Sequence, residues 1–328
     1  MSRLPIGFEE RLNKLWSQEI VSSFIDSFKE RLATIRINTL KTSKEEETQL
    51  LSANGFILKS VPWYEDAFVV TNKTKREITD SPSHQAGKIY IQSLASMVPP
   101  LALEPLPGDK VLDLTAAPGS KTSQIAALMN NQGELLANDN SRERFFRLKK
   151  NLEHLGVANS QLNLSLRLEH GARIGREFPN YFDKVLLDAP CSAEARFIEN
   201  NQKSFGFWKE KKLSEIAKRQ RSLIVAALNA LKPGGTMVYS TCTISPEENE
   251  LQLDWLLRKF GSNVNVEAIP SKLLCLPRLP NILFWKEKEL NSAIKESFRL
   301  LPTSEIEGFF IARITKTGAI PSSSADEE

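Results

Sequence analysis

From Asp109 onward the chain repeats one unit, a short apolar run, a tight turn and an amphipathic stretch, and that repeat leaves few folds open. Residues 110–114 read as a strand and 121–129 as a helix, and 134–139 with 142–155 repeat the pair. Residues 161–166 form a weaker strand and 184–188 a clear one. An amphipathic helix over 213–231 is closed by Pro233-Gly234-Gly235, a strand over 236–241 precedes a helix over 246–260, and 308–314 is a last strand. Alternation of this kind predicts an α/β fold, a mostly parallel, doubly wound sheet with helices on both faces. Ahead of it, apolar residues at helical spacing (Phe8, Leu12, Trp16, Ile20, Phe24, Phe28) are followed by three short strand-like runs and a helix ending at Asn54-Gly55. Pro99-Pro100 and Pro105-Leu106-Pro107-Gly108 concentrate breakers between the two patterns. The expected organisation is a small N-terminal α+β domain over 1–104, the doubly wound domain over 105–316, and a polar, acidic, disordered tail over 317–328.

Composition sets limits on chemistry. With 41% hydrophobic and 25% charged residues the chain can bury an ordinary core without staples. Its three cysteines, Cys191, Cys242 and Cys275, have no C-x-x-C spacing, and the three histidines do not fall near them, so no metal site is expected. Sparse free thiols point to a reducing, cytoplasmic setting. No run approaches the ~20 apolar residues of a membrane span. A net charge of +3 permits a nucleic-acid partner without requiring one.

Four motifs fall where a doubly wound sheet binds ligands, beyond the carboxyl ends of its strands. In Asp113-Leu114-Thr115-Ala116-Ala117-Pro118-Gly119-Ser120-Lys121-Thr122, small residues at a strand-to-helix turn let the backbone approach a nucleotide-like ligand. The run lacks the spacing of a dinucleotide or phosphate loop. Asp139 follows Gly119 by 20 positions, suited to accepting hydrogen bonds from ribose hydroxyls. Asp188-Ala189-Pro190-Cys191-Ser192 delivers a carboxylate and a thiol into one loop. Finally, Thr241-Cys242-Thr243-Ile244-Ser245-Pro246-Glu247-Glu248 puts a thiol just ahead of an expected helix start, with Ser245 as N-cap and Glu248 completing a capping box. The positive end of that helix would stabilise a thiolate on Cys242. Each cysteine taken alone could equally be a small buried hydrophobe.

In this order and at these separations the motifs resemble the Sun family of RNA (cytosine-5) methyltransferases, and within it the bacterial RsmF type that modifies small-subunit ribosomal RNA. The likeness runs through nearly the whole chain, including residues 35–41, 87–92 with Ser96-Met97, and Glu307-Gly308-Phe309-Phe310. It implies a Rossmann-like S-adenosylmethionine-dependent methyltransferase sheet acting, in all expectation as a monomer, on an RNA substrate. By resemblance Cys242 is the nucleophile toward carbon 6 of cytosine, Cys191 assists product release, Asp188 reads the base, and Lys121 orients the target. Thr115, Ala116, Ala117, Pro118, Gly119, Ser120, Lys121, Asp139 and Asp188 would hold S-adenosylmethionine. Arg36, Asn38 and the first domain, which would bind RNA, together with the stretch 142–150 are candidate RNA-backbone contacts. His170 stands where the type carries an Asp, and Ala193 and Ala195 stand in a turn that is usually Ser-Gly-x-Gly, so a shifted loop beside Cys191 is expected. The type also continues into a C-terminal RNA-binding extension of which this sequence carries only the start. Two alternatives stay open: the same chemistry on transfer RNA, and a silent RNA-binding or ribosome-assembly protein.

Overall fold

The computed structural model describes residues 4–157 and 161–320. Two helices, α1 (Phe8–Asn13) and α2 (Gln18–Asp26), lead into β1 (Ala33–Ile37), α3 (Lys44–Ala53), β2 (Leu58–Ser60) and β3 (Ala67–Val70). Short helices α4 (Lys75–Thr79) and α5 (Pro82–Gln85) precede β4 (Ile89–Ile91), and the four strands form one antiparallel sheet in the order β2-β3-β1-β4. The next helix, α6 (Leu94–Leu103), runs straight through Pro99 and Pro100, where the sequence predicted a break. Proline removes the N–H donors that would reach Ala95 and Ser96. The freed carbonyl of Ser96 instead accepts from Gln92 Nε2 at 3.3 Å, and burial of the apolar helix supports the rest.

The second sheet is built from β5 (Lys110–Asp113), α7 (Ser120–Leu128), β6 (Gly133–Asn138), α8 (Arg142–His154), β7 (Leu162–Arg167), α9 (Gly171–Glu177) and β8 (Phe182–Asp188). Then come α10 (Gln202–Phe205), α11 (Leu213–Ala230), β9 (Leu231–Thr241) and α12 (Glu250–Phe260). Parallel pairings run β7-β6-β5-β8-β9, so strand order reverses between β5 and β8 and opens the crevice where such sheets bind ligands. The remaining strands are β10 (Val264–Glu267), β11 (Arg278–Leu279), the hairpin β12 (Phe284–Trp285) and β13 (Lys288–Glu289), β14 (Phe298–Leu300) and β15 (Phe309–Lys316). β15 lies antiparallel to β9, and β14 and β11 extend the edge, making nine strands with β10. The fold class expected from the alternation is the one observed. Most of the expected tail, from residue 321, lies outside the described residues.

Both faces of this sheet are covered, as parallel strands require. Val111, Ile125, Leu148 and the α6 residues fill one side, and Leu112, Ile174, Ile224 and Leu253 the other. A third cluster joins the chain's first two helices to the segment after β8: Phe8 packs against Phe197 at 5.0 Å between ring centres and Phe24 stacks on Trp16 at 5.9 Å. Each buried ring of this kind stabilises by about 2–3 kcal/mol, and the cluster fixes the segment that follows Cys191.

Arg36 and Asn38 are fully buried, so they are not the RNA contacts the sequence suggested. Arg36 donates to Gln92 Oε1 at 3.1 Å and to Ser123 Oγ at 2.8 Å. Asn38 Nδ2 donates to the carbonyls of Gly87 and Leu155, each at 2.8 Å. These side chains bolt the first sheet to α7 and to the residue that ends α8.

Candidate active site

A cavity of about 600 Å³ opens at the β5/β8 reversal. Its walls bring together Thr115, Ala116, Ala117, Pro118, Ser120, Lys121, Asp188, Cys191 and Cys242. Gly119 and Asp139, named with them from the sequence, stand behind the wall. Gly119 caps α7 at φ 103°, and a Cβ there would meet Leu148 Cδ1 at 3.1 Å. Asp139 accepts from the N–H groups of Ala117 at 3.3 Å and Ser141 at 2.9 Å, and Arg144 lies 3.3 Å from its carboxylate.

At the cavity's centre Lys121 Nζ donates to Asp188 Oδ2 at 2.7 Å and to Ser96 Oγ at 2.8 Å. Ser240 Oγ donates to the other oxygen of Asp188 at 2.9 Å. The carboxylate is thus held flat at the end of β8, facing the thiols. Sγ of Cys191 and Sγ of Cys242 are 3.4 Å apart. The pair is not symmetric. A hydrogen bond from Cys191, with the positive charges of Arg196 and Lys121, lowers the pKa of Cys242 against burial and Asp188. Cys191, its proton tied to Cys242, buried and facing Glu248, has its pKa raised. Of the two, Cys242 is the thiol more readily ionised.

The expected capping box does not form. Ser245 makes no capping hydrogen bond, residues 246–248 are a 3-10 turn, and α12 starts only at Glu250. Buried partners outbid the local motif. Ser245 Oγ donates to Glu194 at 2.7 Å, while Glu248 receives Ser192 N–H and Gln220 Nε2, each at 3.0 Å, and the Ser192 hydroxyl. The groups that ease ionisation of Cys242 are therefore side-chain cations and a thiol donor, and not a helix end. Ala193 adopts the left-handed conformation, φ 56° and ψ 31°, that a glycine would take in the turn after Cys191. His170 caps α9 through Nδ1, accepting from Ala172 N–H at 3.4 Å, and is not part of the cavity wall.

Sequence reasoning passed over four residues. Arg196, Glu307 and Asp113 line the cavity, and Glu248 braces it from behind. Asp113 is buried, its Oδ2 accepting from Thr122 Oγ1 at 2.7 Å while Oδ1 has no hydrogen-bond partner. Burial pushes its pKa up to about 7. A strand-final carboxylate was a visible signal for Asp113, since it opens the first motif. Nothing local marks Arg196, which reaches Cys242 only through the tertiary fold.

The description "16S rRNA methyltransferase RsmB/F" matches residues 100–315, and "N-terminal domain of 16S rRNA methyltransferase RsmF" matches residues 4–94. Ribosomal RNA small subunit methyltransferase F of Pectobacterium atrosepticum is 34% identical over 97% of this chain and 64% of its own length. The protein of the same name from Vibrio campbellii is 38% identical over 97% and 64%. The chain therefore spans a little under two thirds of these relatives. Among solved structures, a methyltransferase homolog protein from Pyrococcus horikoshii superimposes with a TM-score of 0.80 at 36% identity, covering 94% of this chain and 93% of that one. With the two descriptions together spanning most of its length, the chain belongs to the RsmB/F family of 16S rRNA methyltransferases.

Proposed function

We propose that this protein methylates carbon 5 of a cytosine in RNA, most specifically in small-subunit ribosomal RNA as its relatives' names state, with S-adenosylmethionine as donor. The observation that carries the chemistry is the 3.4 Å pair of unlike thiols beside a lysine-bound carboxylate in one cavity. Exocyclic amine methylation has no use for a nucleophilic thiol.

The cavity fits the donor. Ala116 and Ala117 leave the backbone open to a close ligand, and Asp113, another lining residue, keeps a buried Oδ1 without a hydrogen-bond partner. Thr115 to Lys121 would line the binding loop. Asp139 would reach a ribose only once Arg144 moves off its carboxylate. When bound, S-adenosylmethionine supplies an electrophilic methyl group.

Carbon 5 of cytosine is too electron-poor to take that methyl unaided. The thiolate of Cys242 adds to carbon 6, and the electron pair displaced from the ring double bond makes carbon 5 nucleophilic. Asp188, held by Lys121 and Ser240, accepts a hydrogen bond from the exocyclic amino group, while the Lys121 ammonium beside it offsets the negative charge that builds on the ring. After methylation the carbon 5 proton must leave to a base, and its electron pair re-forms the double bond as the carbon–sulfur bond breaks. Cys191 would assist that release, its S–H donating a hydrogen bond to the departing Cys242 sulfur while the carbon 5 proton passes to water, which restores the starting pair. The target base has to swing out of its stack to reach this depth.

The test uses Cys191→Ser and Cys242→Ser proteins incubated with S-adenosylmethionine and 16S ribosomal RNA, then resolved on denaturing gels. Cys191→Ser is expected to accumulate a protein–RNA adduct and Cys242→Ser none. Methylation by wild-type protein with no adduct from either variant would remove the covalent route.

A further inference from the structure

Beside the catalytic cavity lies a second groove, of about 760 Å³, between the N-terminal domain and the segment after Cys191. Lys29, Arg31, Lys73, Lys75, Arg76 and Arg196 line it, against only Glu30 and Glu307 of opposite sign. Arg196 and Glu307 line both spaces, so groove and cavity adjoin at these two side chains. We propose that this groove is the track for the single-stranded RNA flanking the target cytosine, with the cations on its phosphates. The proposal rests on the RNA reading above for the identity of the base in the cavity.

Three features favour a phosphate backbone as occupant. First, the cations on the rim are available, although Arg31 already donates to the carbonyls of Ser27 at 2.7 Å and Thr303 at 3.1 Å. Lys75 has no acidic partner among the described residues. The pairs Lys29–Asp26 at 3.7 Å, Lys73–Glu77 at 3.5 Å and Arg76–Asp80 at 3.8 Å are long and solvent-facing, and such pairs contribute little. Second, the loop that presents them is held in place. Asn72 Nδ2 donates to the Gly55 carbonyl at 2.8 Å, and its Oδ1 accepts from Ile57 N–H at 2.9 Å. Thr74 closes a capping box with Glu77. Lys73, Lys75 and Arg76 therefore project from a fixed base, which lowers the ordering cost of binding. Third, the lining is polar, with Leu32 and Ile198 its main apolar side chains. A protein partner would need an apolar centre that this groove lacks. Adjacency to the cavity supplies direction: a base lodged against Cys242 would leave its neighbouring phosphates near Arg196, where the two spaces meet.

The experiment measures binding of wild-type protein to a fluorescent 15-nucleotide oligouridylate, which has no cytosine and so reports the track without the reaction. It is repeated across a salt series. Single strands lose about 0.7 in log–log slope per neutralised phosphate. Lys73→Ala/Lys75→Ala/Arg76→Ala is expected to lower the slope by about 2 and to weaken binding on the order of tenfold at low salt. The same number of cationic side chains removed elsewhere, Lys14→Ala/Lys272→Ala/Lys295→Ala, is expected to leave both nearly unchanged. Equal slopes for wild type and the groove variant overturn the proposal, as does an equal loss in the remote variant. Polyglutamate competing as well as oligouridylate would overturn it in favour of an acidic protein partner. The adduct assay separates the two readings. A groove variant that binds poorly while no protein forms an adduct leaves the track standing and removes the methylation chemistry. Adduct formation with unimpaired oligouridylate binding does the reverse.

Discussion

The carboxylate of Glu248 holds Ser192 by its backbone N–H at 3.0 Å and by its hydroxyl, so the residue following Cys191 hangs from the far side of Cys242's own loop. Gln220 donates to the same carboxylate at 3.0 Å. Burial raises the pKa of Glu248 to about 7 despite these donors, with the nearby Glu194 adding to the rise. Asp113, across the cavity, is likewise pushed up to about 7.

Those two acids set a pH dependence of stability. Their ordinary values are 4.5 and 3.8, so between roughly pH 4 and pH 7 the folded chain binds more protons than the unfolded one. Stability falls as pH rises wherever the native state binds the extra proton. The penalty is absent below about pH 4, grows through the window and is complete above pH 7. Its upper bound is about 3.5 kcal/mol for Glu248 and about 4.5 kcal/mol for Asp113, at ~1.4 kcal/mol per unit. Urea unfolding at pH 5, 6, 7 and 8 is expected to show this decline, and Glu248→Gln to flatten it. A parallel curve for the variant would mean that Glu248 titrates normally.

Cys242 should be the thiol that alkylates first. In a Cys275→Ser background, which removes the exposed third thiol, iodoacetamide at neutral pH is expected to modify Cys242 ahead of Cys191, read by peptide mass spectrometry. Arg196→Gln withdraws a positive charge from that sulfur and should shift the alkylation profile to higher pH, with full reactivity recovered once the thiol ionises. Prior modification of Cys191 would reverse the assignment of roles.

Arg36 separates an architectural role from an RNA-binding one. Arg36→Met leaves Gln92 Oε1 and Ser123 Oγ without their buried donor, a loss of about 2–4 kcal/mol for two charge-assisted bonds. Denaturant midpoints should fall accordingly. The salt dependence of RNA binding by the folded variant should stay that of wild type, because the guanidinium has no access to solvent.

How far the sequence could be read follows from the range of the interactions. The strand–turn–helix units were legible because each is local, and Asp188, Cys191 and Cys242 were legible as strand-end residues of a doubly wound sheet. Ser245 and Glu248 misled because a capping box is also a local pattern. Here Glu194 and Ser192, both distant in sequence, offered those side chains buried partners that a solvent-exposed cap could not match. Pro99 and Pro100 misled for a related reason, since Gln92 takes up a carbonyl that the prolines free. Beyond α12, the strands from Val264 to Leu300 are two to four residues long and carry too few positions for any period to register.

Gly119 and Ala193 hold left-handed backbone at two positions flanking the cavity, and they should respond oppositely to exchange. Gly119→Ala adds a Cβ at φ 103°, outside the region an L residue tolerates, and places it 3.1 Å from Leu148 Cδ1 on α8. A loss of about 1–3 kcal/mol is expected, with displacement of the 114–119 loop and weaker S-adenosylmethionine binding by calorimetry. Ala193 already bears its Cβ at φ 56°, where a left-handed residue costs roughly 1–2 kcal/mol. Ala193→Gly relieves that cost and returns about 0.4–1 kcal/mol of it as chain entropy in the unfolded state. The net expectation is a gain of roughly 0–1 kcal/mol in urea unfolding. Because Ser192 stays fixed by Glu248, Cys191 should keep its place, and the yield of adduct from an Ala193→Gly/Cys191→Ser protein should match that of Cys191→Ser alone. A marked drop in that yield would show that the left-handed alanine, rather than the Glu248 clamp, positions the loop.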